Sequence, residues 1–225
     1  MTEYRDGNGA EIGFVDTTLR DGNLSLWACS MTTSMLLPVL DRLGGAGFQA
    51  IELLSGAFFK KCVRELCDDP WLRARLVSER IPDVPLRVIA GRMNTFGYDP
   101  PEMYRLFQIL MAKNGIRQIR ISDPWNAFAG LERRVGQARE CGLDPIVNMI
   151  FSVSPRHTDA YYAERTAQAA TLGAPICFKD PGGLLTPERT RILAPIILEA
   201  AGQVPVEFHT QCITGLGSRC CLEAM

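Results

Sequence analysis

Ala174-Pro175-Ile176-Cys177-Phe178-Lys179 is a short apolar run that closes on a lysine, and Asp180-Pro181-Gly182-Gly183-Leu184-Leu185-Thr186-Pro187 follows it directly. The first stretch has strand length and strand composition. Gly182-Gly183 allows a tight turn out of it. Thr186 then supplies a side-chain cap for a helix, and Pro187 fits the first helical position, where its missing N–H costs nothing. The whole segment reads as one β-turn-α unit with a charged residue at the C-terminal end of its strand.

The same unit recurs in both directions. Apolar runs at 12–16, 50–54, 86–90, 117–121 and 145–151 precede it, and 204–209 follows it. Helical stretches are expected over 32–43, near 70–79, over 101–113, from the Asp123-Pro124 break to about 141, and over 158–171. Another helix begins after Thr186, and one opens at 218–225. Strands alternating with helices, with no run of hairpins, argue for a parallel sheet covered by helices. Seven such units at roughly 30-residue spacing suit a parallel (β/α)8 TIM barrel of ~250 residues. The α/β chain is thus expected to be one such domain over 1–225, truncated after strand 7. A doubly wound open sheet is the rival. Asp16, Asp123, Lys179 and His209 all fall at strand C-terminal ends, which converge on one mouth in a barrel but spread along an edge in an open sheet.

The composition excludes some function classes. With 24 basic against 25 acidic residues and a net charge of -1, there is no basic excess to hold nucleic acid. No apolar run reaches the ~18–20 residues of a membrane span. The polar, glycine-containing start is unlike a secretory signal, so a cytoplasmic location is expected. The eight cysteines are irregularly spaced. They lack zinc-site spacing and suit buried thiols in a reducing compartment.

Asp16, Lys179 and His209 carry the chemistry. Carboxylate and imidazole groups are common ligands for divalent ions. A lysine ammonium cannot ligate, but a neutral lysine can add carbon dioxide to become an anionic carbamate.

Asp16-Thr17-Thr18-Leu19-Arg20-Asp21-Gly22, extended by Ser25-Leu26-Trp27-Ala28, resembles the opening signature of the metal-dependent aldolase-like barrels. Within that superfamily it is most similar to the pyruvate carboxyltransferase domains of oxaloacetate decarboxylase alpha subunits, pyruvate carboxylase and the transcarboxylase core. Asp69-Pro70-Trp71, Asn94-Thr95-Phe96-Gly97-Tyr98, Ser154-Pro155-Arg156-His157-Thr158, Phe178 to Pro187 and His209-Thr210-Gln211 match in the same order. The resemblance implies a divalent ion (Zn, Mn, Co or Mg) held by Asp16, a carbamylated Lys179, His209 and Gln211. It implies Arg20 beside a developing enolate and Arg92 as a clamp for a keto-acid carboxylate. It also implies a 2-oxo acid substrate, biotin on a separate carrier domain or subunit, and assembly with further copies of the chain. Lys179 separates carboxyltransferases from the acyl-CoA lyases and condensing enzymes of the superfamily, which lack a lysine there.

Three positions depart from the family pattern. Gln211 replaces the second histidine of His-x-His, Asn23-Leu24 replaces His-Gln, and Gly91 stands where an arginine is usual. These changes also fit a non-catalytic relative that kept the fold.

Overall fold

The computed structural model describes residues 11–90 and 100–225. Arg92 and the 94–98 motif lie outside the described residues. The strands are β1 (Val15–Asp16), β2 (Ala50–Ser55), β3 (Leu86–Ala90), β4 (Ile116–Ser122), β5 (Asp144–Ile150), β6 (Ile176–Asp180) and β7 (Val206–Thr210), and they follow chain order in the sheet. The pairs β1–β2, β2–β3, β5–β6 and β6–β7 are parallel. A sequential order is the connectivity of a barrel, whereas a doubly wound sheet starts in its middle and reverses. The rival architecture is therefore set aside.

The helices are α1 (Asn23–Trp27), α2 (Thr33–Leu36), α3 (Leu40–Gly44), α4 (Gly56–Arg64), α5 (Pro70–Arg80), α6 (Pro101–Lys113), α7 (Phe128–Glu140), α8 (Asp159–Ala170), α9 (Pro187–Ala201) and α10 (Gly217–Ala224). Three begin as their sequences require: Asp69, Thr158 and Thr186 accept from Trp71, Tyr161 and Arg189 amides respectively. The helix expected over 32–43 is instead broken into α2, a 3₁₀ turn at Leu37–Val39 and α3. Pro38 explains the break, because it lacks an N–H and its ring crowds the preceding turn. Helix α4 was hidden in the long connection after β2. Its Phe58, Phe59 and Cys62 are buried while Lys60, Lys61 and Arg64 face outward or lie half-buried. Among the described residues no helix is long and apolar enough to cross a membrane. All eight cysteines are free thiols, five of them buried.

The chain divides into two compact units. The first contains everything to Arg120 together with Gln137–Asp144, and the second contains Ile121–Gly136 with Pro145–Met225. In the first unit, Ile51, Leu53 and Leu54 of β2 are fully buried with Val88, Leu36, Leu40 and Val77. Phe59, Trp71 and Phe107 add an edge-to-face cluster with centroids 5.0–6.0 Å apart. Arg73 is also fully buried there. It lies over the Phe58 ring at 4.3 Å and donates to Thr33 Oγ1 (2.9 Å), Met31 O (2.7 Å) and Asp68 Oδ2 (3.1 Å). Asp68 also accepts from the Thr33 amide, so one ion pair pins the start of α2.

In the second unit the core forms around Phe178. Phe151, Tyr162 and Phe208 surround it at 5.8–6.1 Å between ring centroids. Tyr162 is fully buried, yet its hydroxyl both accepts from the Ser152 amide (2.8 Å) and donates to the Ser152 carbonyl (3.0 Å). Burial pushes that phenol up to about 12.

Candidate functional site

In the first unit, the residues after β1 form a tight π-helical turn, Thr18–Gly22. The amides of Arg20, Asp21 and Gly22 all point at the Thr17 carbonyl, at 2.7–3.2 Å. The turn carries Arg20 into the core, where it is 6% exposed. Its Nε donates to Glu52 Oε2 at 2.8 Å, its Nη2 reaches the same oxygen, and its Nη1 donates to Asp21 Oδ1 at 2.7 Å. From β4, Arg120 donates to the other Glu52 oxygen at 2.5 Å. Glu52 is fully buried. Burial alone would raise its pKa, but Arg120 and Arg20 outweigh that and hold it at about 2. The result is a chain of charges, Arg120–Glu52–Arg20–Asp21, in which each acid sits beside a base. A guanidinium has five N–H donors, and three of those of Arg20 are engaged in this way, which fixes its plane.

Asp16, the carboxylate expected as a ligand, is bonded within its own turn. Its Oδ1 accepts from the Thr18 amide at 3.2 Å and its Oδ2 from the Thr18 hydroxyl at 2.7 Å. Both oxygens therefore serve the local turn. Five residues on, the Asp21 carboxylate has a side chain 14% exposed and accepts from Arg20.

In the second unit, Lys179 and His209 are register partners on parallel strands, and Asp180 pairs with Thr210 on the next rung. Side chains alternate along a strand and register partners share a face. Phe178 packs on Tyr162 of α8 and on its register partner Phe208, so Lys179 and His209, one residue on, take the opposite face of the two strands. Lys179 is 9% exposed, and His209 is half-buried. As a donor set the pair would suit a divalent ion only with Lys179 as a carbamate: an imidazole nitrogen beside a carbamate oxygen. Gln211 lies two residues beyond His209, half-buried, and its amide donates to the Asp180 carbonyl at 3.0 Å. Among the described residues no three His, Cys, Asp or Glu side chains form a metal cluster. The expected set contains only two residues of those types, Asp16 and His209.

Asp180 was not singled out by the sequence. It is fully buried. Its Oδ1 accepts from the Leu184 amide (3.0 Å), and its Oδ2 accepts from the Leu185 amide (2.9 Å) and the Thr210 hydroxyl (3.0 Å). The signal available was an aspartate followed by Pro-Gly-Gly, a composition that favours a side-chain-stabilised turn. Asp123 makes the turn expected of it, accepting from the Trp125 and Ala127 amides. Asn126, buried with φ +51°, goes further and bonds Ile150 through both its amide groups, donating to the carbonyl and accepting from the N–H. His157 bonds Ser154 at 2.7 Å and packs on Tyr161, shaping its loop.

The barrel connectivity, the capped strand-to-helix turns and the motifs at the strand ends define a resemblance to carboxyltransferase domains, and comparison with known proteins bears it out. The chain is 34% identical over 208 residues to a pyruvate carboxylase subunit of Methanocaldococcus jannaschii, covering 91% of the chain and 36% of that protein. It is 30% identical to the 2-oxoglutarate carboxylase large subunit of Hydrogenobacter thermophilus, covering 94% of the chain and 33% of that protein. The carboxyl transferase domain of Rhizobium etli pyruvate carboxylase superposes with a TM-score of 0.86 at 27% identity, over 95% of this chain and 38% of the other. A further structure of that domain holds pyruvate and biocytin. The chain spans about a third of the length of the curated relatives it matches. No family model matches it.

Proposed function

We propose that the chain is the metal-dependent, carboxyl-transferring part of a biotin-linked enzyme acting on a 2-oxo acid of the oxaloacetate–pyruvate type. One observation carries the reading: Lys179 and His209 lie side by side at the C-terminal ends of β6 and β7, within the segment that distinguishes carboxyltransferases from the acyl-CoA enzymes of the superfamily. Active sites of (β/α)8 barrels lie at that end of the strands.

In this reading Lys179, as a carbamate, and His209 hold a divalent ion, with Gln211 as a weaker amide ligand. Such an ion acts as a Lewis acid on a keto acid. The carboxylate ligand expected from β1 was Asp16. Asp16 keeps that expected role in this reading, with its oxygens also accepting from the Thr18 amide and hydroxyl. The resemblance gives Arg20, held by Glu52, the role of stabilising the negative charge that would develop when the carboxyl group leaves, as fixed donors do for an enolate. The resemblance assigns the substrate carboxylate to Arg92, which lies outside the described residues. Biotin on a carrier domain or subunit would give or take the carboxyl group. Leu24, 43% exposed where the family has a glutamine, and Gln211 favour the competing reading of a non-catalytic relative.

The deciding experiment purifies the folded chain with bicarbonate present, measures its metal content and assays oxaloacetate decarboxylation. Near one divalent ion per chain, lost in Lys179→Ala together with turnover, supports the proposal. A folded chain that takes up no divalent ion overturns it in favour of the non-catalytic relative.

A further inference from the structure

Five hydrogen bonds converge on Asp180. Its side chain receives the Leu184 and Leu185 amides and the Thr210 hydroxyl, and its carbonyl receives the Gln211 amide at 3.0 Å and the Gly183 amide at 3.5 Å. Leu184 and Leu185 belong to the loop after β6, and Thr210 and Gln211 end β7. One buried carboxylate therefore bonds to both segments.

Other contacts stitch the same two loops. Thr214 donates to the Gly183 carbonyl at 3.3 Å, and Cys220 of α10 donates to the Leu185 carbonyl at 3.4 Å. Gly183 has φ +60°, and a Cβ there would stand 2.7 Å from the Gln211 carbonyl oxygen and 3.2 Å from the Ile213 amide nitrogen. Only glycine permits that approach without strain. These contacts tie the β6–α9 loop to the β7–α10 loop, next to Lys179 on one strand and His209 on the other.

We propose that Asp180 is the positioning residue of this site: it locks the ends of β6 and β7 together, so that Lys179 and His209 keep a fixed separation and their two loops move as one. The proposal rests on the reading of Lys179 and His209 as ligands. Asp180 itself touches neither ion nor substrate. Its charge-assisted bonds to amides are stronger than neutral ones. An asparagine at 180 would turn an NH₂ group toward one of the amides it now accepts from.

The test compares the chain with Asp180→Asn, Thr210→Val and Thr210→Ser. Native-state amide exchange reads the lock without any metal. Faster exchange at Leu184, Leu185 and Gln211 together, in Asp180→Asn that still unfolds cooperatively, supports it. Unchanged exchange, or loss confined to Leu184 and Leu185, overturns it. Titration with Mn²⁺ in bicarbonate reads the consequence. Affinity should fall about 10–100-fold in Asp180→Asn, the usual cost of removing a group that orients metal ligands. It should fall in Thr210→Val and return in Thr210→Ser, which restores the hydroxyl. If the unmodified chain binds Mn²⁺ and the variants bind it equally well, Asp180 positions nothing. If the unmodified chain binds no Mn²⁺, the functional reading above fails, and the exchange arm alone decides whether Asp180 locks the loops.

Discussion

Lys179 and His209 occupy one rung of the β6–β7 ladder, on the face turned away from the Phe178–Phe208 contact. Two residues separated by thirty positions in sequence become neighbours because both strands run parallel and end together. The amino group and the imidazole share an environment that neither segment defines alone.

That relationship makes Lys179→Ala the sharpest substitution. The variant should remain folded, since Lys179 lies on the strand face opposite the Phe178–Phe208 contact. Its bicarbonate-dependent ion uptake should fall beyond the roughly 10–100-fold typical of a lost outer-shell partner. Metal analysis after gel filtration measures this, and undiminished uptake would remove Lys179 from the ligand set.

Asp16→Ala removes the acceptor of the Thr18 amide and hydroxyl, so it should cost about 1 kcal/mol of stability, as losing a cap does. As the expected carboxylate ligand, it should also take ion binding with it while the chain stays folded. Chemical denaturation and Mn²⁺ titration check the two effects; undiminished ion uptake in the variant would remove Asp16 from the ligand set.

Glu52 predicts an acid limit. Its folded pKa of about 2 lies below the ordinary 4.5, so the native state holds its proton less tightly than the unfolded chain. Its contribution is present in full above pH 4.5 and is lost as pH falls toward 2. A shift of that size corresponds to roughly 3 kcal/mol. Denaturant titrations between pH 6 and pH 2 should show stability of the first unit declining below about 4.5, with the decline reduced in Glu52→Gln. Glu52→Gln should itself be destabilised by about 3–5 kcal/mol at neutral pH, because it removes the buried negative charge that the Arg20 and Arg120 guanidiniums share. An identical pH profile in that variant would assign the acid limit to other carboxylates.

Gln211→His tests the departure from His-x-His. Imidazole is a better ligand than an amide oxygen for zinc-like ions. Zinc affinity should rise about tenfold or more, equivalent to ~1.4 kcal/mol, when read by competition with a chromophoric chelator. An unchanged affinity would mean that the side chain at 211 does not reach the ion.

Much of the fold was legible because its signals are local. All seven strands fall within two or three residues of their expected places, since short apolar runs bounded by turns need no distant partner to be recognised. Thr158 and Thr186 cap their helices as their positions suggested. The departures have local physical causes as well: Pro38 divides a helix, and the basic residues Lys60, Lys61 and Arg64 concealed the buried side of α4. The candidate site was legible only in part. Lys179 and His209 were visible as polar residues ending apolar runs. Glu52 and Asp180 were not, because a lone carboxylate in an apolar strand or before a Pro-Gly turn carries no sign of what it will bond.

The sequence by itself determined the order of strands and helices, the glycine turns and helix caps, and the presence of a lysine and a histidine at strand ends. Those follow from side-chain periodicity and backbone preference within a few residues. Tertiary structure alone decided that the strands align in sequential parallel order, that Lys179 and His209 share a rung, that Glu52 pairs with Arg20 and Arg120, and that Asp180 joins two loops. Each of those depends on hydrogen bonds whose partners are selected by burial, and a buried polar group must find a partner wherever the fold supplies one.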